Sequence, residues 1–382
     1  MKIAVIGSGL MGRAIVYDLS RADSVEKIGL FDFDAELAAE IARKYGNDIT
    51  TAGKIDARDE DEVAAVLQDY DACISAVTYK YNEGLTRAAI KSRTHFFDLG
   101  GNNDVVRTQF EMDAAAKEAG ITVIPDCGLA PGMVSVLAAG GIKEFDKINS
   151  LKIRVGGLPQ APRPPLNYQL VFSSEGLINE YWEPVIILEN GQAKSINPMT
   201  GLEKLEFDGI GELEAFYTSG GTSTLPQTYK GIIDFLDYKT IRYPGHCRLF
   251  KPMLEIGLGS RSPVKIGDIS IEPREVFKKV LEKNLAFNEP DLVLIRLTFE
   301  GIKGGTQKKL VYEIIDRQDS RTGLTSMMRC TSSPVAIIAW MVCFGKVSQK
   351  GVVPQELAIE PQFFIAQLKK RNINVTVRQS GA

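Results

Sequence analysis

A glycine-rich turn near the start of the chain constrains the fold more than any other feature. Gly7, Gly9 and Gly12 have the spacing G-x-G-x-x-G, directly after an apolar, β-branched run at Lys2–Ile6 and directly before a helical pattern. In this context the first glycine permits a tight turn, the second admits a diphosphate to the backbone, and the third lets the helix pack close to the strand. The turn therefore predicts a dinucleotide-binding domain.

An acidic residue at the end of the second predicted strand indicates which dinucleotide binds. Asp32 follows Gly12 by twenty residues, where a carboxylate can accept hydrogen bonds from both adenosine ribose hydroxyls and would repel a 2′-phosphate. Its neighbours Phe33 and Asp34 supply no cation for such a phosphate. We therefore predict NAD as the cofactor in preference to NADP, and interpret Asp34 as the N-cap of the next helix.

Further cofactor contacts are expected where the first helix begins and where later strands end. The N–H groups of Leu10 and Met11 lie in the first turn of a helix whose positive end favours the diphosphate. The small residues of Ala76–Thr78 (Ala76, Val77 and Thr78) follow the fourth predicted strand, and the cofactor can pass over them. Asp56 ends the third predicted strand and either reaches the adenine or caps a helix.

Strands and helices alternate over residues 1–130, which predicts an α/β fold. The predicted helices fall between strands expected at Lys2–Ile6, Lys27–Phe31, Ile49–Ile55, Ala72–Ala76, His95–Leu99 and Ile121–Ile124. This spacing is typical of βαβ units with right-handed crossovers. We expect a Rossmann domain with a doubly wound parallel sheet.

The pattern changes after Pro131, where a helix over Pro131–Gly141 leads away from the sheet. Residues 131–325 are predicted to form an α+β domain for substrate binding and oligomerisation, with few helices, a hairpin turn at Gly301–Gln307 and a mostly antiparallel sheet that includes Lys152–Val155, Pro184–Leu188, Asp291–Glu300 and Lys308–Ile315. Residues 326–382 read as a helical segment that packs back on the first domain, with helices at Val335–Phe344 and Gln362–Arg371.

Composition excludes several classes of protein. The net charge of -3 gives no electrostatic reason for nucleic acid or an anionic membrane as partner. The five cysteines are scattered and only two histidines occur, so no zinc pattern exists, no metal is expected, and the chain reads as reduced and cytoplasmic. The most apolar run, Pro334–Phe344, is too short to span a bilayer and predicts a buried helix.

Two carboxylates follow neighbouring strands at the edge where α/β sheets bind ligands. Asp98 comes at the end of the fifth predicted strand and Asp126 shortly after the sixth. Both are candidates for acid–base chemistry at this edge. Each also has a second interpretation, since carboxylates commonly order glycine-rich loops through backbone N–H groups.

Four later segments together resemble one known family. They are GLAPGMVSVLAA at Gly128–Ala139, FSSEGLINEY at Phe172–Tyr181, TIRYPGH at Thr240–His246 and GVVPQE at Gly351–Glu356. In this order the segments resemble the saccharopine dehydrogenase family over nearly the whole chain. Ala130 replaces the aspartate of the family's GLDPG motif, and the stretch over Gly220–Pro226 lacks an arginine and an aspartate that many members carry.

The resemblance implies an amine-oxidising dehydrogenase. Within the family the chain is most similar to members that use NAD to convert the ε-amino group of L-lysine to an aldehyde and ammonia, and the missing arginine disfavours the larger dicarboxylic substrate saccharopine. The alternatives are a relative acting on saccharopine or carboxynorspermidine and a non-catalytic NAD-binding regulator. The resemblance also implies a homo-oligomer.

Site residues follow from the same resemblance and from residue chemistry. Arg242 is the candidate for a bidentate bond to the substrate α-carboxylate, with a structural salt bridge as the alternative. The remaining candidates divide by role: Asp98, Asp126, Lys80 and His246 for proton transfer; Tyr217, Thr218 and Thr222 as pocket lining; Glu175, Asn179 and Glu180 as partners of an amine. Lys80 reads equally as a solvated loop lysine.

Overall fold

The computed structural model describes residues 1–287 and 289–381, which form two compact units. The first unit comprises Met1–Lys143 and Met328–Asn374, and the second comprises Glu144–Met327 and the chain from Val375 onwards. A short 3-10 helix at Tyr79–Tyr81 interrupts the elements of Met1–Lys143. These elements are β1 (Lys2–Ile6), α1 (Leu10–Leu19), β2 (Lys27–Asp32), α2 (Ala35–Tyr45), β3 (Thr50–Lys54), α3 (Glu60–Leu67), β4 (Ala72–Ser75), α4 (Asn82–Ser92), β5 (His95–Asp98), α5 (Asn103–Glu111), α6 (Asp113–Glu118), β6 (Thr122–Ile124) and α7 (Met133–Ile142).

The middle of the chain is richer in helices than the sequence led us to expect. Its elements are β7 (Lys147–Pro159), α8 (Ser174–Trp182), β8 (Val185–Glu189), β9 (Gln192–Ile196), β10 (Glu203–Phe207), β11 (Gly211–Tyr217), α9 (Leu225–Thr228), β12 (Phe235–Arg242), α10 (His246–Glu255), β13 (Val264–Ile266), β14 (Ile269–Ile271), α11 (Pro273–Leu285), β15 (Asp291–Lys303) and β16 (Thr306–Arg317). The prediction of few helices was wrong. Helix α8 does carry a start signal, since the Ser173 side chain accepts a hydrogen bond from the Gly176 N–H.

The last part of the chain contains α12 (Ser326–Cys343), β17 (Gly351–Val352), α13 (Gln355–Ala358), α14 (Pro361–Lys370) and β18 (Thr376–Gly381). By length and composition α12 is apolar enough to cross a membrane, but 78% of its apolar window is buried inside the protein. It is therefore built as a core helix, as predicted for this run.

The first unit holds a parallel sheet of seven strands in the order β17-β6-β5-β4-β1-β2-β3. Each neighbouring pair runs parallel, from Ile3 opposite Ile28 at the centre to Gly351 opposite Thr122 at one edge. The predicted doubly wound parallel sheet is confirmed, and the short strand β17 adds a seventh strand that the sequence did not indicate. Because the carboxyl ends of parallel strands meet at one edge, the turns after β1, β2, β4 and β5 lie on the ligand side of the sheet.

The second unit is built on a nine-stranded mixed sheet with the central order β10-β11-β12-β7-β15-β16-β18. All its pairs are antiparallel except β12 with β7, which confirms the mostly antiparallel prediction. The turn between β15 and β16 is shorter than expected, because the strands pair as far as Lys303 opposite Thr306. Helices α8, α10 and α11 pack together around Phe250, Tyr181 and Phe277.

Two helix boundaries differ from the predictions for local reasons. The helix expected at Pro131 begins at Met133, since Gly132 has φ +123°, outside the helical region. The single helix expected before the sixth strand is divided into α5 and α6 at Met112. By contrast, the N-cap role of Asp34 is confirmed, because its carboxylate accepts hydrogen bonds of 3.0 Å from the N–H groups of Glu36 and Leu37.

Candidate functional site

The glycine turn of the first unit has the geometry that a diphosphate needs. Gly7 has φ +108°, and a Cβ there would lie 2.8 Å from the carbonyl carbon and oxygen of Ala76. A Cβ on Gly12 would lie 1.8 Å from the Gly7 carbonyl oxygen. A Cβ on Gly9 would meet no atom within 4 Å, so the backbone there faces open space at the start of α1. The three glycines thus have the separate roles that the motif predicts.

Two polar groups beside this turn fit the ribose and phosphates of a dinucleotide. The Asp32 carboxylate accepts hydrogen bonds from the N–H of Ser8, at 2.6 Å, and from the N–H of Asp34, at 3.0 Å. These bonds hold the carboxylate at the end of β2, where a ribose diol can donate to it. The Ser8 hydroxyl oxygen is buried and has no hydrogen-bond partner among the described residues. The residues present therefore fit the cofactor, which would contribute a hydride acceptor when bound.

The adenine end of the site contains cations that the sequence did not reveal. Phe33 is 62% exposed. The Lys54 ammonium lies 5.2 Å and the Arg58 guanidinium carbon 5.8 Å from the centre of its ring. Lys54 and Arg58 do not neighbour Asp32 in sequence, but β3 and the turn after it bring them close to it.

Asp56 neither caps a helix nor offers a free carboxylate to adenine. Asp59 caps α3, with bonds from the N–H groups of Asp61 and Glu62. The Asp56 carboxylate instead accepts three hydrogen bonds from the Arg58 guanidinium, of 2.8 and 3.0 Å from Nε and 2.6 Å from Nη2. These bonds lower the pKa of Asp56 to about 2.

The residues after β4 divide between the glycine turn and solvent. Ala76 and the Val77 side chain lie against Gly7, which brings two of the predicted cofactor residues to the turn. Thr78 is exposed and precedes the 3-10 helix. Lys80 is exposed within that helix, with its ammonium 4.9 Å from the centre of the Tyr81 ring.

Asp98 is built into the loop rather than presented to a substrate. Its fully buried carboxylate accepts hydrogen bonds from the Gly100 N–H (2.7 Å), the Asp126 N–H (3.0 Å) and the Gln109 amide (2.7 Å). Burial raises the pKa of Asp98, and these three donors oppose that rise. The geometry corresponds to the loop-ordering interpretation and corrects the catalytic one.

Asp126 has an unusual backbone at the same edge. Its φ is +61°, a conformation uncommon outside glycine. The residue is 2% exposed. Its carboxylate lies so close to Gly100 that a Cβ there would be 1.8 Å from Oδ1. Gln355 holds the backbone by donating to the Asp126 carbonyl oxygen at 2.6 Å. Its role in proton transfer stays a prediction.

Arg242 is the central cation of the second unit. It stands at the end of β12 and is 2% exposed. Its Nε–H donates to the Tyr181 hydroxyl at 2.7 Å, and the guanidinium lies 4.6 Å from the centre of the Tyr168 ring. No carboxylate of the described residues lies within 4.0 Å of it. The predicted alternative, a structural salt bridge, is therefore wrong within this part of the chain.

His246 is locked as a neutral ring beside Arg242. Its Nδ1 lies 2.9 Å from the Leu166 carbonyl oxygen, which only accepts, so Nδ1 carries the proton. Nε2 then accepts from the Tyr181 hydroxyl at 3.2 Å. Burial and the nearby Arg242 lower the pKa of His246 to about 3. A ring that is buried, neutral and bonded at both nitrogens orients Tyr181, which corrects our prediction of His246 as a proton carrier.

Glu180 completes this site with a carboxyl group that is an unusually weak acid. Burial raises its pKa to about 7, although Arg242 opposes the rise. Burial raises the pKa values of Tyr168 and Tyr238, and the charge on Glu180 adds to both rises. Its backbone carbonyl accepts a bond from the Ser219 N–H at 2.8 Å. Arg242 and Glu180 thus place opposite charges within electrostatic range of each other.

The predicted pocket-lining residues lie on two faces of the sheet. Thr218 shares a 2.6 Å hydrogen bond with Thr240, whose side chain lies on the same face as Arg242 because side chains alternate along β12. The loop that holds Thr222 approaches this face, since a Cβ on Gly221 would touch the Tyr238 ring.

Tyr217 lies on the other face of the same sheet. The centre of the Tyr217 ring is 4.6 Å from the Lys239 ammonium. Burial raises the pKa of Tyr217, and the charge on Asp237 adds to that rise. The side chains of Asp237 and Lys239 lie on the face of β12 opposite to Arg242, because side chains alternate along a strand. The structure therefore separates Tyr217 from Arg242, which corrects its expected place beside Thr218.

Glu175 and Asn179 contact a different arginine. Glu175 forms ion pairs with Arg261 (2.6 Å), Arg274 (3.0 Å) and Lys278 (2.9 Å). Asn179 accepts a hydrogen bond from the buried Arg274. These contacts join α8 to α11 and give both residues a structural role, so Glu180 is the member of the predicted set that lies near Arg242.

Comparison with known proteins identifies the family. Residues 3–124 match the family described as "Saccharopine dehydrogenase NADP binding domain", and residues 128–373 match "Saccharopine dehydrogenase C-terminal domain". The chain belongs to the saccharopine dehydrogenase family, and its first unit contains the family's nicotinamide-dinucleotide-binding domain.

Individual relatives are distant in sequence. The chain is 25% identical over 281 residues to the mitochondrial alpha-aminoadipic semialdehyde synthase of Rattus norvegicus, covering 68% of this chain but only 28% of that protein. It is 23% identical over 391 residues to the carboxyaminopropylagmatine dehydrogenase of Synechocystis sp., covering 96% and 95% of the two chains. An apo saccharopine dehydrogenase (L-Glu forming) from Saccharomyces cerevisiae has the same fold, with a TM-score of 0.81, 20% identity and 99% coverage of both chains.

Proposed function

We propose that this chain is an NAD-dependent amine dehydrogenase that oxidises the ε-amino carbon of L-lysine, a lysine 6-dehydrogenase. The observation that carries the proposal is the buried guanidinium of Arg242, which has no carboxylate of the described residues within 4.0 Å. A buried charge is expected to be paired. An amino-acid carboxylate would pair it.

Two other buried arginines of the second unit show what a structural role looks like. Arg154 pairs with Asp237 and Glu203, and Arg274 pairs with Glu175. Arg242 differs from both, because its described partners are the Tyr181 hydroxyl, the Ile241 carbonyl and the Tyr168 ring. This contrast supports a ligand for Arg242 that carries its own negative charge.

Glu180 supports an amino acid as that ligand. A zwitterionic α-amino acid presents a carboxylate and an ammonium group side by side, and Arg242 and Glu180 present the opposite charges. A bound ammonium would favour the ionised form of Glu180, whose pKa is otherwise about 7. We assign Arg242 to the α-carboxylate and Glu180 to the α-ammonium, which leaves the ε-amino end for the reaction.

The reaction balances with NAD and water. The ε-carbon would give up a hydride, for which bound NAD would supply the acceptor, and the ε-nitrogen would lose a proton, which gives an imine. Water adds to the imine and releases ammonia and 2-aminoadipate 6-semialdehyde. The Asp98 carboxylate and both ring nitrogens of His246 already have hydrogen-bond partners. Asp126 and Lys80 therefore remain the proposed proton carriers. Asp32 supports NAD through its ribose-facing carboxylate.

The second candidate is a dehydrogenase of a larger secondary amine. It is favoured by the near-complete coverage of the Synechocystis sp. relative, a carboxyaminopropylagmatine dehydrogenase. The domain description "NADP binding" also suits that class. Such a substrate would still offer a carboxylate to Arg242.

Substrate and cofactor are tested together by following NADH absorbance. Purified protein with NAD and L-lysine should form NADH and ammonia, with a lower rate for NADP at equal concentration. Saccharopine and a carboxyalkyl polyamine serve as the competing substrates. Turnover of either competitor without turnover of lysine would overturn the proposal, and tight NAD binding without oxidation of any amine would favour a regulator.

The pH dependence of the reaction tests Glu180. Because the ionised form is needed to bind an ammonium group, kcat/KM for L-lysine should fall as pH falls below about 7. Glu180→Gln should raise KM for lysine and remove the additional decline that begins near pH 7, leaving the steady decline caused by protonation of the ε-amino group, while kcat changes less. An unchanged pH profile in this variant would contradict the assignment, and Glu183→Gln on the same segment is the matched control.

A further inference from the structure

An ion pair at the adenine end of the first unit has a geometry that bears on cofactor choice. The Arg58 guanidinium donates from Nε to one oxygen of Asp56 and from Nη2 to the other, at 2.8 and 2.6 Å. The Arg58 backbone N–H also donates to Asp56, at 3.0 Å. The pair is thus a two-residue bidentate contact within one turn, with Arg58 65% and Asp56 30% exposed.

This turn is attached directly to the residue that reads the ribose. The Ile55 N–H donates to the Asp32 carbonyl at 2.9 Å, and Lys54 lies opposite Asp32 in the register of β2 and β3. Phe33 follows Asp32 and has the Arg58 guanidinium near its ring. Arg58 therefore belongs to the surface that surrounds the adenosine ribose, although it is far from Asp32 in sequence.

We infer that Asp56 is a cofactor-specificity residue, because its carboxylate holds the Arg58 guanidinium and keeps it from pairing with the 2′-phosphate of NADP. The inference rests on the proposed NAD preference and extends it. In this arrangement Asp32 disfavours the phosphate by repulsion, and Asp56 withholds the cation that would otherwise compensate. Two carboxylates at the ends of neighbouring strands then both favour NAD over NADP.

The physical chemistry allows this exchange. Arginine forms its strongest contacts as bidentate bonds to carboxylate or phosphate, so the two groups compete for one guanidinium. The pair is solvent-exposed and therefore weak, so Asp56 reduces the pairing of Arg58 with a phosphate by a few-fold rather than abolishing it. Removing the negative charge of Asp56 therefore frees the cation without disturbing a core.

The test uses Asp56→Asn in the full chain. Asparagine keeps an oxygen for the Arg58 backbone N–H but loses the charge, so the turn should persist. Dissociation constants for NADH and NADPH are measured by nucleotide fluorescence without any amine present. We expect NADPH binding to tighten by about two- to fivefold, with the NADH constant changing by less than about twofold.

Two further variants isolate the cause. Asp61→Asn removes the same charge from an exposed ion pair with Lys91 in the same unit, and it should leave the ratio of the two constants unchanged. Asp56→Asn combined with Arg58→Ala should lose the gain. A ratio unchanged in Asp56→Asn, or a gain that survives in the double variant, would overturn the inference.

The measured dissociation constants distinguish a failure of this inference from a failure of the proposed function. Wild-type protein that binds NADPH more tightly than NADH would contradict the NAD preference itself. An unchanged ratio in Asp56→Asn, with NADH still preferred, would contradict only the role of Asp56. Thermal unfolding of each variant shows whether the turn is intact.

Discussion

Replacing Arg242 by methionine should raise KM for L-lysine by about 100-fold or more, because a charge-assisted bond to a buried carboxylate contributes roughly 3 kcal/mol. KM for NAD should stay within about twofold, since Arg242 lies in the second unit and the glycine turn in the first. The measurement is initial-rate kinetics with each substrate varied in turn.

Stability distinguishes this role from a structural one. Removing one partner of a buried ion pair is strongly destabilising, by roughly 3–5 kcal/mol, because it leaves an uncompensated charge. Arg242 has no carboxylate partner within 4.0 Å among residues 1–287 and 289–381, so Arg242→Met should leave the melting temperature nearly unchanged. Arg248→Gln, an exposed change on α10, is the control for the loss of charge. A large fall in melting temperature with equal effects on both KM values would show that Arg242 is structural.

Alanine at Gly12 should abolish dinucleotide binding and destabilise the first unit by about 3 kcal/mol or more. The added Cβ would lie 1.8 Å from the Gly7 carbonyl oxygen, which is backbone and cannot move aside like a side chain. The turn and the first helix would have to separate. Differential scanning calorimetry and NADH titration measure the two effects.

Alanine at Gly9 is the matched comparison. Its backbone has φ -66°, which alanine adopts readily, and the added Cβ would meet no atom within 4 Å. We expect a melting temperature within about 1 °C of wild type but NADH binding weakened by about tenfold or more, because the methyl group would occupy the approach of the diphosphate. Equal loss of stability in both variants would contradict the division of roles among the three glycines.

The first unit was predicted well because its signals are local. All six predicted strands begin within one residue of the observed start, since apolar β-branched runs act within a few residues. The roles of Gly7 and Gly12 follow from one turn. Strand β17 was not predicted, because a strand of two residues is too short to show a periodic pattern. Only its pairing with β6 makes these residues a strand.

The second unit was predicted less well because its signals are distant in sequence. Tyr217 and Thr218 are neighbours, yet Tyr217 contacts Lys239 and Thr218 bonds to Thr240, whose side chains lie on opposite faces of β12. Glu180 and Arg242 are brought together by helix α8 and strand β12, and the burial that raises the pKa of Glu180 exists only in the folded protein. Asp32 and Arg58 are likewise distant in sequence, although both belong to the first unit.

The sequence by itself determined the glycine turn, the acidic residue at the end of β2 and the parallel sheet that follows from them. These depend on the conformational freedom of glycine and on short-range periodicity, which act before any tertiary contact forms. Only the tertiary structure decided which charges are paired. It paired Asp56 with Arg58 and Glu175 with Arg274, surrounded the Asp98 carboxylate with three hydrogen-bond donors, and left the buried Arg242 with no carboxylate of the described residues within 4.0 Å. Pairing and desolvation depend on distances between segments, and these are set by packing rather than by the spacing of residues along the chain.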